Sequence, residues 1–322
     1  MKPFSYVSAE SAASAVEWAR DDGKFFAGGI DLLGEMKEGI AAPKRLVNVK
    51  GVPGTRELAA GEKVWTVGAN VKLAEVAAHA ELRRVFPGLG QAVEDVGSPQ
   101  MRNVATVGGN LAQHSRCWYY RQRDVRCAKR GGRRCFARSG ENKFHSLMSG
   151  GMCLSPCVSN LAIALAALDA RVVVQRSGKT VTWTVAELYA SAWRTARAHN
   201  SLGAADLILR VEVPVVAGGR SAYVQMGEKS EFDWALVSCA AAGRLENGRW
   251  RGVRLAVGCV APVPWQVDEA NAFLEGKEAT EENANAAAEL LLAKAEPRAH
   301  NGFKVPLAKT LVKRALGRLA AA

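Results

Sequence analysis

The chain has 322 residues, 48% of them hydrophobic, enough for more than one core. It contains no apolar run of about 18 residues, which excludes a bilayer-spanning helix. The net charge is +12, and the seven cysteines, an odd number in a chain whose start MKPFSYVSAE lacks signal-peptide character, fit a reducing compartment and metal ligation better than a disulfide framework.

In chain order, Ser8 to Ala19 reads as a helix, with Ala12, Ala13, Val16 and Ala19 at helical spacing. KFFAGG (24–29) reads as a buried strand running into a turn, and Asp31 stands where a helix begins before LLGEMK. RLVNV (45–49) and KVWTVGANV (63–71) read as strands. Residues 73–86 predict one helix stopped by Pro87, and LGQAVEDV predicts a second ending near Gly97. The first 115 residues thus alternate strand and helix and close on TVGGN (106–110). A long polar loop follows, a feature that in a compact domain usually carries function.

LAIALAALD (161–169) predicts a helix, and ARVVVQR (170–176) and DLILRVEVPV (206–215) predict strands. From Arg220 the texture changes. SAYVQMGE, WALVSCAAAGRLE and GVRLAVGCVAP read as consecutive strands of an antiparallel sheet. Helices are expected at about 266–274, 283–294 and 306–321. The Gly218-Gly219 pair marks a boundary between a domain of residues 1–218 and one of 219–322.

The polar loop holds Cys117, Cys127, Cys135 and Cys153, with gaps of nine, seven and seventeen residues. Between Arg116 and Arg138 stand nine Lys or Arg and one acid, Asp124, which is two thirds of the net charge. Thiolates in a basic, glycine-broken loop suit an iron–sulfur cluster, whose negative charge and potential respond to surrounding donors and positive charge. Zinc is the other metal reading, although its usual close CxxC pairs are absent. The +12 balance also raises a zinc-loop nucleic-acid binder, but the charge is local and no recognised nucleic-acid motif accompanies it. His114 and His145 flank the loop, where a lone histidine is usually a surface or hydrogen-bonding residue. Trp118, Tyr119 and Tyr120 either shield a cluster from water or form an interface patch. Cys239 and Cys259 lie in apolar strands and read as small buried hydrophobes.

Two glycine pairs follow strands. In Ala27-Gly28-Gly29-Ile30-Asp31, the glycines permit close backbone approach, and the amides of a helix start can take a diphosphate. In Thr106-Val107-Gly108-Gly109-Asn110, the terminal amide side chain can bond a ring edge or a phosphate. Neither is GxGxxG, and each alone reads equally as a turn.

FSYVSAESAASAV, AGGID, VGSPQMRNVATVGGNLAQ, ALAALDARV, FDWALVSCAA and LAVGCVAPVPW together resemble the FAD-binding (medium) subunits of the molybdenum hydroxylases, the xanthine dehydrogenase and carbon monoxide dehydrogenase family. The inserted cysteine loop is similar to the branch whose FAD subunit carries an additional [4Fe-4S] cluster, closest to the aldehyde oxidoreductase type. The resemblance implies an α+β fold, with a PCMH-type FAD domain of two α/β pieces, a cysteine-rich insertion at about 115–157 and a smaller C-terminal α+β domain. It implies that Ala27, Gly28, Gly29, Ile30, Asp31 and Leu32 line the FAD diphosphate, and that Thr106, Gly108, Gly109 and Asn110 hold the diphosphate or flavin side from the second loop. Asp169 and Gln225 match positions near the flavin, and Cys117, Cys127, Cys135 and Cys153 match cluster ligands.

The same resemblance implies an electron-transfer subunit of an aldehyde- or xanthine-type oxidoreductase, inactive on substrate alone. Its partners would be a large molybdenum-cofactor subunit and a small [2Fe-2S] subunit, with electrons passing through FAD to an external acceptor. No nucleic acid or membrane span is expected. The compartment is cytoplasmic, or periplasmic if a partner's signal exports the folded complex.

Three departures stand out. Ile30 replaces a small polar residue, Gln225 replaces a frequent Lys, and Cys157-Val158-Ser159-Asn160 replaces His-Pro-Ser-Asp. They leave the fourth cluster ligand between Cys153 and Cys157. They also motivate a rival reading, an assembly subunit that has kept the fold and lost FAD.

Overall fold

The computed structural model describes residues 1–321. The chain opens with β1 (Ser5–Ser8), α1 (Ala12–Ala19), β2 (Gly23–Phe26), α2 (Ile30–Lys37) and β3 (Arg45–Asn48). The three strands form a parallel sheet in the order β1-β3-β2. Ser11 starts α1 four residues later than the periodicity predicts, because its hydroxyl accepts from Ser14 N at 3.1 Å and Ser14 answers in a reciprocal cap. The residues before it pair as a strand instead.

Next come β4 (Leu58–Ala59), β5 (Val64–Gly68), α3 (Leu73–Ala78), α4 (Ala80–Val85), α5 (Pro87–Glu94), α6 (Pro99–Arg102) and α7 (Val107–Leu111). The single helix expected over 73–86 is two. The His79 backbone leaves the helical region and its Nδ1 accepts from Leu82 N at 3.2 Å, which caps α4. The cysteine-rich stretch contains one helical turn, α8 (Trp118–Arg121), and two 3-10 turns. After it come α9 (Asn160–Ala167), β6 (Arg171–Arg176), β7 (Lys179–Thr184), α10 (Val185–Arg194) and β8 (Leu207–Pro214). The central sheet is antiparallel, in the order β4-β5-β8-β6-β7.

The last part is β9 (Arg220–Met226), β10 (Val237–Glu246), β11 (Arg249–Gly258), α11 (Asp268–Leu274), α12 (Glu281–Leu292) and α13 (Lys304–Ala321). The strands form the expected antiparallel sheet, in the order β11-β10-β9. Strand alternation divides its side chains between two cores. Ala240, Ala242 and Ala256 join the central core, whereas Cys239, Ala241, Leu255 and Val257 face α11, α12 and α13. The first set is small because α9 lies close against it. A Cβ on Gly258 would come within 2.8 Å of Ile163. Every residue of α9 is buried, so this alanine-rich helix is the wedge between the central core and the last sheet.

Candidate functional site

The two glycine loops line one cavity of about 660 Å³, within the roughly 300–1,000 Å³ usual for ligand sites. Residues 27–32 form one wall, and Thr106, Gly108, Gly109 and Asn110 form another. The loops meet because Gly28 has no side chain: a Cβ there would stand 2.4 Å from the Val104 carbonyl oxygen. Gly29 adopts φ +72° and ends as the cap residue of α2, where a Cβ would strike the Phe26 ring at 2.6 Å.

The loops differ in what they offer a ligand. No side chain caps α2, so its first-turn amides lack acceptors and carry the positive end of the helix dipole. An anion fits there. The amides of the second loop are already used. Gly108 N donates to Ala69 O at 2.8 Å, Gly109 N to Thr106 Oγ1 at 3.2 Å and Asn110 N to Thr106 O at 2.9 Å. Thr106 is therefore a helix cap rather than the end of a strand. The second loop offers a smooth wall, and beside it the carboxamide of Asn110 accepts from Ser159 Oγ at 2.6 Å.

Asp31 lines the cavity, but its carboxylate turns to the cysteine loop. It accepts from His114 N at 2.7 Å and pairs with Arg116 at 2.9 Å and Arg121 at 2.6 Å. Burial pushes this carboxyl up, but Arg116, the His114 amide and Arg121 together outweigh it and hold it below the usual range. Glu35, 2% exposed, repeats the pattern: burial opposes its charge, while His114, Tyr120 and Arg121 hold it low. Asp31, Glu35 and His114 bring their ligand atoms within 4.8 Å of one another, but the guanidiniums already neutralise the carboxylates.

Two expected residues lie elsewhere. Asp169 is outside the cavity wall: it ends α9 at φ +54° and pairs with Arg254 at 3.3 Å and Arg171 at 3.5 Å. Gln225 sits one residue behind the wall, accepting from Asn160 Nδ2 at 3.1 Å and from the Tyr223 hydroxyl at 3.1 Å. Asp206, Phe232 and Trp234, which no sequence motif marks as site residues, also line the cavity. Arg116 stacks over Trp234 at 4.8 Å. FDWALV carries no local pattern that places its aromatics in a cavity wall beside Arg116, 118 residues before Trp234.

Cys117, Cys127, Cys135 and Cys153 line a second, smaller pocket together with Lys129. Residues 113–117 join the two: Gln113, His114 and Arg116 touch the large cavity, Ser115 and Cys117 the small one. No three cysteine sulfurs in the described residues lie within 4.8 Å of one another. Four soft thiolate donors around one small pocket are a donor set that either an iron–sulfur cluster or zinc can use. Without a metal, burial pushes Cys117 up to about 12 and raises Cys153. Lys129 is pulled down by burial, while the four cysteines favour its charge.

Cys157 lies apart. It is packed in the central core, its amide bonded to Ala261 O at 2.8 Å, and burial pushes its thiol up to about 12. His199, stacked on His114 at 4.0 Å, accepts from Ser115 N at 3.1 Å. Burial and the neighbouring positive groups hold it well below the usual histidine range, hence neutral. Tyr119, Tyr120 and Phe136 line the cysteine pocket, Tyr119 stacked on Phe136, and Trp118 packs edge-on to His145.

Residues 2–239 match the family model of the FAD binding domain in molybdopterin dehydrogenase, and residues 221–319 match the CO dehydrogenase flavoprotein C-terminal domain. The chain is 33% identical over 314 residues to the aldehyde oxidoreductase FAD-binding subunit PaoB of Escherichia coli K12, covering 96% of each chain. It is 24% identical to the carbon monoxide dehydrogenase medium chain of Hydrogenophaga pseudoflava, covering 97% of this chain and 96% of that one. Among solved structures, quinoline 2-oxidoreductase from Pseudomonas putida 86 superposes with a TM-score of 0.76 at 24% identity, covering 100% of this chain and 99% of the other. The Hydrogenophaga carbon monoxide dehydrogenase gives 0.78 at 24% identity with the same coverage. No helix of the described residues is long and apolar enough to cross a membrane. The chain thus belongs to the FAD-binding medium subunits of the molybdenum hydroxylase family, and is an oxidoreductase subunit by descent.

Proposed function

We propose that this chain is the electron-transfer subunit of a molybdenum-dependent, aldehyde-oxidising complex, holding FAD in the large cavity and a [4Fe-4S] cluster at Cys117, Cys127, Cys135 and Cys153. The observation that carries the reading is the join between the two pockets: residues 113–117 run from the cavity wall to the first cysteine. Bound FAD supplies two-electron and one-electron redox chemistry, and a cluster supplies one-electron transfer.

The residues hold and orient. The uncapped amides of α2 take the diphosphate, with Gly28 and Gly29 letting the backbone approach it. Asn110 and Asn160 present carboxamides on the other side. Gln225 supports Asn160 from behind the cavity wall, whereas Asp169 is engaged by Arg254 and Arg171. The four thiolates bind iron, and Lys129 offsets their charge. Aldehyde specificity is proposed from the similarity to the aldehyde oxidoreductase subunit. Its partners would then be a large molybdenum-cofactor subunit and a small [2Fe-2S] subunit that feeds electrons to FAD, for delivery to an external acceptor. The domain boundary is proposed at residue 218, with residues 219–322 as a C-terminal domain whose Phe232 and Trp234 reach back to line the cavity.

Anaerobic purification of the intact complex tests this. Stoichiometric flavin released on denaturation is expected, with about four iron and four acid-labile sulfide attributable to this chain. Absence of releasable flavin from the intact complex would favour an assembly subunit that has lost FAD. Zinc without sulfide would reject the cluster.

A further inference from the structure

We propose that His145 is a positioning residue of the cysteine site, donating its Nε2–H to the Cys117 sulfur and so raising the potential of the bound cluster. The inference rests on the iron–sulfur reading above. His145 is 2% exposed, and its Nε2 lies 3.1 Å from Cys117 Sγ. Its Nδ1 is buried and has no hydrogen-bond partner. A neutral imidazole carries one proton. On Nδ1 that proton would be a buried donor with nothing to accept it. On Nε2 it meets a sulfur, and a metal-bound thiolate has lone pairs and no proton of its own. The geometry therefore assigns the Nε2–H tautomer.

The ring is held where it is from two sides. The His145 amide donates to Asn142 O at 2.9 Å. Its carbonyl accepts from Lys304 Nζ at 3.1 Å and from Asn301 Nδ2 at 3.2 Å. Trp118 packs edge-on to the imidazole at 5.4 Å, and Tyr119 tilts against it at 6.0 Å. Residues near the start of α13 thus anchor a donor against the first cysteine. An added electron increases the negative charge on the sulfurs, and an N–H aimed at one of them stabilises that reduced state. Loss of the donor shifts the potential to more negative values.

The test is a redox titration followed by electron paramagnetic resonance on the anaerobically purified complex, with His145→Leu and His145→Gln beside the wild type. His145→Leu is expected to keep wild-type iron and sulfide and to titrate at a more negative midpoint. His145→Gln, which retains an N–H, is expected to return toward the wild-type midpoint. An unchanged midpoint in an iron-replete His145→Leu complex overturns the proposal. If His145→Leu loses iron, the proposal requires His145→Gln to restore both iron content and midpoint, and failure to do so overturns it. Absence from the wild type of iron and sulfide beyond those of the partner's [2Fe-2S] centres removes the cluster reading and this inference together, and is told apart because no variant is involved.

Discussion

Asp31 and Arg121 are ninety residues apart in sequence, yet Arg121 Nη2 lies 2.6 Å from Asp31 Oδ1. Arg116 binds the same oxygen at 2.9 Å. The acid at the start of the cavity-lining helix is therefore the anchor of the cysteine loop, and the two candidate cofactor sites share one ion-pair network. Damage on either side should be felt on the other.

Asp31→Asn leaves Arg116 without its counter-charge and Arg121 with only Glu35 at 3.6 Å, and we expect a loss of about 2–3 kcal/mol in unfolding free energy near neutral pH. The sign with pH follows from the lowered carboxyl. A carboxylate held low contributes fully above its ordinary value of 3.8, and the contribution drains as pH falls through the lower folded value. The gap between wild type and variant in urea melts should stay level from about pH 7 to 5 and narrow toward pH 3. A gap that holds its size into strong acid would mean the network is not what stabilises the loop.

Gly28 and Gly29 are intolerant for different reasons. At Gly29 the backbone is left-handed, φ +72°, while at Gly28 the obstacle is the Val104 carbonyl 2.4 Å from an added Cβ. Alanine at either should cost about 1–2 kcal/mol and lower the flavin-to-protein ratio, because the amides of α2 shift with the loop. Gly109→Ala meets only the Thr106 hydroxyl oxygen, at 3.0 Å, so its main effect should be on flavin and little on stability. Flavin content after gel filtration, read beside circular dichroism, separates the cases. Full flavin in Gly28→Ala would show that the first loop does not hold the cofactor.

Most of the fold was legible because apolar periodicity survives in the strands and in α9, and because Pro87 and the glycine pairs punctuate the chain. The break at His79 was not, since it depends on a side-chain nitrogen capping the next turn. Strand β7 is a short, partly exposed edge strand whose only apolar residues, Val181 and Trp183, give too brief an alternation to stand out. At the site, the glycines and cysteines were visible as types and spacings. The direction of the Asp31 carboxylate, the occupied amides of the second loop and the displacement of Asp169 were not. Each depends on residues brought together from far along the chain, such as Arg116 for Asp31, Ala69 for Gly108 and Arg254 for Asp169.

The choice between Cys153 and Cys157 can be read directly. Cys153 shares the pocket of Cys117, Cys127 and Cys135, and Cys157 is packed with Leu161 and Tyr189 in the central core. Cys153→Ser should lose the iron and acid-labile sulfide attributable to this chain and keep the flavin. Cys157→Ser should keep iron and lose about 1–2 kcal/mol of stability, since it puts a hydroxyl into an apolar setting. Iron and sulfide analysis of both variants decides, and iron loss confined to Cys157→Ser would reassign the ligand.

Lys304 is fully buried, and its ammonium bridges two carbonyls, His145 O at 3.1 Å and Cys259 O at 2.9 Å. Lys304→Met leaves the Cys259 carbonyl without its donor and the His145 carbonyl with Asn301 alone, and should cost about 1–3 kcal/mol near neutral pH. Burial pushes the amine down to about 8 from an ordinary 10.5, with Cys259 opposing the shift. Between those two values the unfolded chain binds more protons than the folded one, so this group's contribution to stability rises with pH across that window. Below it the group carries its full desolvation penalty. The wild type should therefore gain on Lys304→Met as pH is raised from about 7 to 10 in urea melts, because methionine has no proton to lose. A constant difference across that range would mean the amine titrates at its ordinary value, and that the link between α13 and the cysteine loop is not electrostatically strained.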